Sequence, residues 1–216
     1  MIRYGNGFME KCKKYINVKI VYYGPARSGK TTNLFYIHSH LPPDVREELV
    51  MQDAQEGTIV FFDFFPRELS TVHGKHLKFR LYTWAEASWT EHTDRVAQTE
   101  VNTARQALLT GADGVVFVVD SQFDRYEANF TALNEFATYL TQAGYQFPFP
   151  QFPWVLQYNK RDVPGIAPLP LLLRDSRLHF ENVPSFEAVA IKGIGVFETL
   201  DTIIRVVAQR IPLFLK

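Results

Sequence analysis

NVKIVYYGPARSGKTTNLFYIHSHL, residues 17–41, is the stretch whose reading decides the fold. Asn17 to Tyr23 is rich in β-branched and aromatic residues and predicts a strand. From Thr31 to Leu41 the apolar side chains return at helical spacing, with Leu34, Ile37 and Leu41 on one face. Between them GPARSGKT, Gly24 to Thr31, satisfies G-x-x-x-x-G-K-[ST] in the strand–loop–helix setting that the pattern requires. Its glycines let the loop wrap tightly, so that backbone N–H groups point at the β-phosphate of a nucleotide. Lys30 would bridge the β- and γ-phosphates, the Thr31 hydroxyl would ligate Mg²⁺, and the helix N-terminus adds its dipole. The phosphate-binding set is Gly24, Arg27, Ser28, Gly29, Lys30, Thr31 and Thr32.

Working outward, TIVFFDF and LKFRLY read as two consecutive strands forming an antiparallel pair. GVVFVVD, Gly114 to Asp120, is an apolar run closed by a carboxylate, as expected of a buried central strand. FPWVLQYN is a further buried strand and SFEAVA the last. YEANFTALNEFATYLTQAG reads as a helix that stops at Gly144, and GVFETLDTIIRVVAQRI as an amphipathic closing helix. The pattern is a three-layer α/β domain, a mostly parallel sheet of about six strands flanked by about five helices. It spans residues 17–216, after an N-terminal arm of residues 1–16. Ligands of such sheets bind beyond the carboxyl ends of the strands.

NKRD, Asn159 to Asp162, follows one of those ends. In the pattern N-K-x-D the carboxylate, here Asp162, accepts hydrogen bonds from guanine N1–H and the 2-amino group. Adenine lacks both donors, and a site left with unpaired polar groups rejects it. Lys160 packs its stem on the base, and Asn159 ties this loop to the phosphate loop. Val189 and Ala190 end the last strand, with the Ala190 N–H near the guanine O6; Val189 and Ile191 stand where Ser and Lys are usual. The nucleotide expected is GTP or GDP. A phosphotransferase would need an arginine-rich lid and an acceptor site, and NKRD points instead to a guanine reader.

Lys and Arg number 23 and Asp and Glu 23, so no global field draws the chain to nucleic acid or to an acidic membrane. A single cysteine, Cys12, favours a reducing, cytoplasmic setting, and no apolar run is long enough to span a bilayer. The chain shows no signal-peptide core and no prenylation cysteine. FPFPQFP, Phe147 to Pro153, reads as a stiff surface connection. In FFDFF, strand alternation places Phe62 and Phe64 on one side and Phe61, Asp63 and Phe65 on the other.

With these motifs in place the chain resembles the Ras superfamily, and more closely the bacterial MglA family. The resembling stretches are VKIVYYGPARSGKTTNL, FFDFFP, RLYT, GADGVVFVVDS, VLQYNKRD and EAVAIKGIGVFETL. The resemblance implies a P-loop GTPase fold and a cytoplasmic GTP/GDP switch with Mg²⁺, acting in cell polarity or gliding motility. It also implies a roadblock-type, MglB-like partner that promotes GTP hydrolysis.

LKFRLYTWAEASW, Leu77 to Trp89, departs from that family. Thr83 is kept, and is expected at the nucleotide. Glu86 stands where the family's glycine should be and Ala87 where its water-orienting glutamine should be, and the segment is longer. Upstream, Glu56 and Gly57 occupy the place of the family's arginine, while Thr58 remains as a catalytic residue and second hydroxyl ligand of Mg²⁺, beside Thr31. Arg95, Arg105, His92 and Gln98 read as solvated residues of the lengthened segment or its helix. Asp63 reads equally as a metal approach through water or as a strand Asp that ties down a neighbour. The chain is therefore expected to hydrolyse GTP slowly or with a partner's help. The alternative is a hydrolysis-deficient scaffold that holds GTP.

Overall fold

Alternation along β1 (Tyr15–Tyr23) builds the molecule on both sides of one sheet. The structure is a computed structural model that describes residues 15–54, 57–66, 71–72, 75–86, 103–146, 149–172 and 182–211. After β1 come α1 (Lys30–His40), β2 (Val50–Ala54), β3 (Gly57–Phe64), β4 (Thr71–Val72) and β5 (Lys75–Glu86). Helix α2 (103–109), β6 (Gly114–Asp120), α3 (Tyr126–Gln142) and β7 (Trp154–Asn159) follow. A short α4 (Leu169–Leu172), β8 (Ser185–Glu187) and α5 (Val196–Ala208) complete the order.

The sheet runs β2-β3-β5-β1-β6-β7-β8, with β4 paired to β5. The β5–β1, β1–β6, β6–β7 and β7–β8 pairs are parallel, and β2–β3, β3–β5 and β4–β5 antiparallel. The predicted antiparallel pair is thus β3–β5. The sheet has eight strands where about six were expected. The additions are β4, of two residues, and β2, whose five residues VMQDA are all exposed and carry no apolar alternation to reveal a strand. Strand β8 stops at Glu187, so Val189 and Ala190 belong to the loop after it. Tyr15 and Ile16, assigned above to the arm, pair with His76 and Leu77 of β5.

Ile20 and Tyr22 pack in one core with α1 and α5; Val21 and Tyr23 pack in the other with α2 and α3. Phe62 and Phe64 join the first, while Phe61 stacks on Tyr82 across the sheet at 5.2 Å. All seven residues of β6 are buried. A Cβ on Gly114 would stand 2.6 Å from Val207, so the missing side chain lets α5 close on the start of β6. FPFPQFP is a surface connection only in part: Pro150 and Gln151 are exposed, whereas its described aromatic side chains are anchored. Phe149 and Phe152 are buried in the second core, with Phe152 edge-on to Phe136 and to Tyr145, because the sheet leaves apolar space under the approach to β7.

The register resolves the two readings of Asp63. It lies opposite Arg80 in mid-strand, well below the carboxyl end of β5. Its carboxylate, 2 % exposed, is gripped by Arg80 and Lys78, with Arg80 Nη2 donating to Oδ2 at 2.7 Å. Burial alone would raise the Asp63 pKa, but the hydrogen bonds from Arg80 and Lys78 prevail and hold it below the ordinary 3.8. A depressed carboxyl contributes stability that is complete above its unfolded pKa and is lost as pH falls through the lower folded value. Asp63→Asn should therefore lower stability near pH 7 by about 1–3 kcal/mol. It should also flatten the loss of stability below about pH 4. Denaturant titrations at several pH values, followed by circular dichroism, check both.

Candidate nucleotide site

The loop after β1 is held from behind, carbonyl by carbonyl. Arg105 Nη2 donates to the Gly24 carbonyl at 2.8 Å, and Lys30 Nζ to that of Pro25 at 2.7 Å. Arg125 Nη2 donates to the Ala26 carbonyl at 2.8 Å, and Asn159 Nδ2 to that of Ser28 at 2.8 Å. The Asn33 N–H reaches the Gly29 carbonyl at 3.0 Å and begins the helical ladder of α1. A turn whose carbonyls are drawn outward leaves its N–H groups for an anion.

Two glycines make the turn possible. Gly24 has φ 141°, and a Cβ there would meet the Val118 carbonyl at 2.3 Å. Gly29 has φ 97° and N-caps α1 without a side-chain hydrogen bond. The first N–H groups of a helix have no partner within it, so an uncapped start is a place for negative charge. Arg27 takes φ 61°, left-handed although it is not glycine, and is exposed. Lys30 is 4 % exposed, and the Ser28 hydroxyl is buried without a hydrogen-bond partner. An uncapped helix start, a lysine folded over the loop and an orphaned hydroxyl fit a phosphate chain.

The loop after β7 meets this one through Asn159. Its Oδ1 accepts from the Ala190 N–H at 2.9 Å while its Nδ2 holds Ser28, so the predicted tie is made. The Ala190 N–H, expected at the guanine O6, is directed to Asn159. Val189 beside it is buried and donates its N–H to the Ile194 carbonyl at 3.0 Å. Lys160 takes φ 64° and donates Nζ to Asp120 Oδ2 at 2.7 Å. Asp162 is exposed and pairs with Lys192 at 2.9 Å; that hydrogen bond is the chief cause holding its carboxyl below the ordinary 3.8.

Other expected residues have their side chains engaged with protein partners. Thr58 lies in β3, opposite Ala85, with Oγ1 donating to Asp53 Oδ1 at 3.2 Å. Thr83 is fully buried and its Oγ1 donates to the Tyr22 carbonyl at 3.1 Å, joining β5 to β1. Glu86 closes β5 opposite Gly57, so the position remains strand. Ala87, Glu56, His92, Arg95, Gln98 and Cys12 lie outside the described residues. Arg105, read as solvated, has a side chain only 13 % exposed; it packs over the Tyr23 ring and pairs with Glu135 at 3.5 Å. Asp120 and Arg125 went unassigned in the sequence. The carboxylate that closes an otherwise apolar buried strand was the signal that could have found Asp120.

A glycine-bearing loop at the end of a central parallel strand, joined to the NKRD loop two strands away, is the arrangement of the small-GTPase class of α/β proteins. The small GTPase Arl6 (BBS3) of Trypanosoma brucei, solved with the nucleotide analogue GppNp, shares the fold at a TM-score of 0.58. It is 18 % identical, covering 90 % of this chain and 99 % of that one. In sequence, the chain is 36 % identical over 200 residues to the mutual gliding-motility protein MglA of Myxococcus xanthus (strain DK1622), covering 93 % of this chain and 95 % of that protein. The chain belongs to the MglA family. No protein-family model matches it. Among the described residues no helix is long and apolar enough to cross a membrane.

Gly29→Ala places a Cβ 2.1 Å from Asn159 Nδ2 in a backbone conformation that alanine avoids. The variant should lose at least about 1–3 kcal/mol, read as a lower urea midpoint at unchanged slope.

Proposed function

We propose that this chain is a GTP/GDP switch whose nucleotide lies across the loops after β1, β7 and β8. The observation that carries the reading is the double hydrogen bond of Asn159, which fixes the phosphate loop and the NKRD loop as parts of one site. Lys30 would turn from the Pro25 carbonyl toward the phosphates. Asp162 would accept the guanine N1–H and 2-amino donors, with Lys192 beside it keeping it ionised. Lys160, its head held by Asp120, would lay its stem on the base. The Ala190 N–H would be shared between Asn159 and the guanine O6. Thr31 would hold Mg²⁺ from the first turn of α1, and Mg²⁺ would neutralise charge on the phosphates. Thr58 could join it only after leaving Asp53.

Hydrolysis is the weak function of this site. Ala87 cannot orient water, and the Arg105 guanidinium is committed to Gly24 and Glu135. An arginine finger is worth about 10³–10⁵ in rate, so turnover is slow until a partner supplies or repositions groups. That partner is of the roadblock, MglB-like kind, and the setting is cytoplasmic control of polarity or surface motility.

Single-turnover hydrolysis of pre-bound GTP, with the nucleotide identified by chromatography over time, tests the reading. Conversion to GDP well below one turnover per minute is expected, accelerated by the double change Glu86→Gly, Ala87→Gln. Lys30→Ala should abolish binding. GTP that stays intact through many hours, with hydrolysis restored by the double change, would make the chain a GTP-holding scaffold instead.

A further inference from the structure

Asp120 is fully buried, and a buried carboxylate persists only when it is paired and hydrogen-bonded. It ends β6, the strand that stands between β1 and β7, and so lies between the phosphate loop and the base-reading loop. Its Oδ2 accepts from Lys160 Nζ at 2.7 Å and faces Arg125 Nε at 3.6 Å. Its Oδ1 accepts from the Gln122 N–H at 3.2 Å and from Gln122 Nε2 at 3.1 Å. Its backbone is fixed at both polar groups by Asn129, at 2.9 and 2.8 Å. Arg125 then continues to the Ala26 carbonyl in the phosphate loop. The resulting line, Ala26–Arg125–Asp120–Lys160, joins the two halves of the site by a route separate from Asn159.

We propose that Asp120 and Arg125 are positioning residues that make tight holding of the phosphates depend on the correct base. The proposal rests on the nucleotide-binding reading above. One carboxylate oxygen serves two cations, Lys160 of the NKRD loop and Arg125 of the turn after β6, whose guanidinium holds the phosphate loop at Ala26, so the place of each depends on the other. When Lys160 settles along a guanine, its ammonium fixes Asp120, and Asp120 fixes the guanidinium that holds Ala26. A base that seats poorly shifts Lys160, and the disturbance reaches the phosphate loop through Arg125. Specificity is then a coupling between two contacts, of the kind that typically amounts to about 5–150-fold.

The test is the ratio of dissociation constants for IDP and GDP, measured on the full chain. IDP keeps the diphosphate and lacks only the 2-amino group that Asp162 would read, so it would seat the NKRD loop, and Lys160 within it, less firmly. Arg125→Ala and Asp120→Asn should each weaken GDP and reduce the IDP/GDP ratio by about five- to tenfold. Arg125→Lys keeps the charge but cannot reach Asp120 and Ala26 together, and should reduce the ratio as well. Arg125 has a side chain 31 % exposed, and its truncation leaves Asp120 paired with Lys160, so the result does not hang on whether Asp120→Asn folds. If both nucleotides weaken equally, or neither changes, the residues are merely structural and the coupling is overturned. If the unaltered chain binds neither nucleotide, the switch reading itself falls and takes this proposal with it.

Discussion

One side-chain amide holds the site together. Asn159 donates to Ser28 and accepts from Ala190, so a single residue at the end of β7 sets the distance between loops that lie far apart in the chain. The amide does both jobs from two separate atoms: a carboxylate has no donor and an apolar residue has neither group. The close fit of Gly29 against Asn159 leaves no room for another arrangement. Beneath it Gln157 exchanges two hydrogen bonds with Asn33 of α1, at 2.8 and 3.0 Å, and donates to Thr199 of α5 at 3.2 Å. These groups are fully buried, and a polar cluster so satisfied fixes one register where an apolar core would allow several. The helix that begins at the phosphate loop is therefore seated on the sheet by hydrogen bonds as well as by Leu34 and Ile37.

Charge around the site is arranged in balanced pairs. Lys30, Arg105 and Arg125 surround the loop, and Glu135 and Asp120 answer the two arginines. A protein without net charge can thus keep a local excess of donors around one loop. The guanidinium groups are directed at carbonyl oxygens, which stiffens the loop without placing a free cation in front of it. This division leaves Lys30 as the cation folded over the loop itself.

The sequence was most legible where chemistry is local. The strand, loop and α1 follow from consecutive residues, and the full burial of β6 from a run of seven apolar and closing residues. The tie between Asn159 and the phosphate loop was also legible, because a tetrapeptide of fixed geometry carries it. The missed features depend on contacts between distant residues. Nothing in VMQDA announces β2, which exists because β3 offers it an edge. Arg125 sits in a polar turn that resembles any other until Ala26 is found beside it. Thr58 and Thr83 keep the residue type expected of them, yet their hydroxyls are engaged by Asp53 and by Tyr22, and spacing alone does not reveal such competitors. Phe149 and Phe152 went astray for the opposite reason, since alternating prolines hide an apolar anchor.

Strand β2 ends the sheet with every residue exposed, and among the described residues its outer backbone edge has no partner. Such an edge is a template for another strand, and proteins usually guard it with charge, proline or brevity. Here the one charged residue, Asp53, already answers Thr58 within the hairpin, which leaves brevity as the main protection. Five residues give too little pairing to hold two copies alone. At the concentrations of a crowded cell or a crystallisation drop, however, this margin is where self-association would be seeded. Among the described residues, then, a neutral overall charge leaves this five-residue rim as a place where the backbone itself offers pairing to another strand.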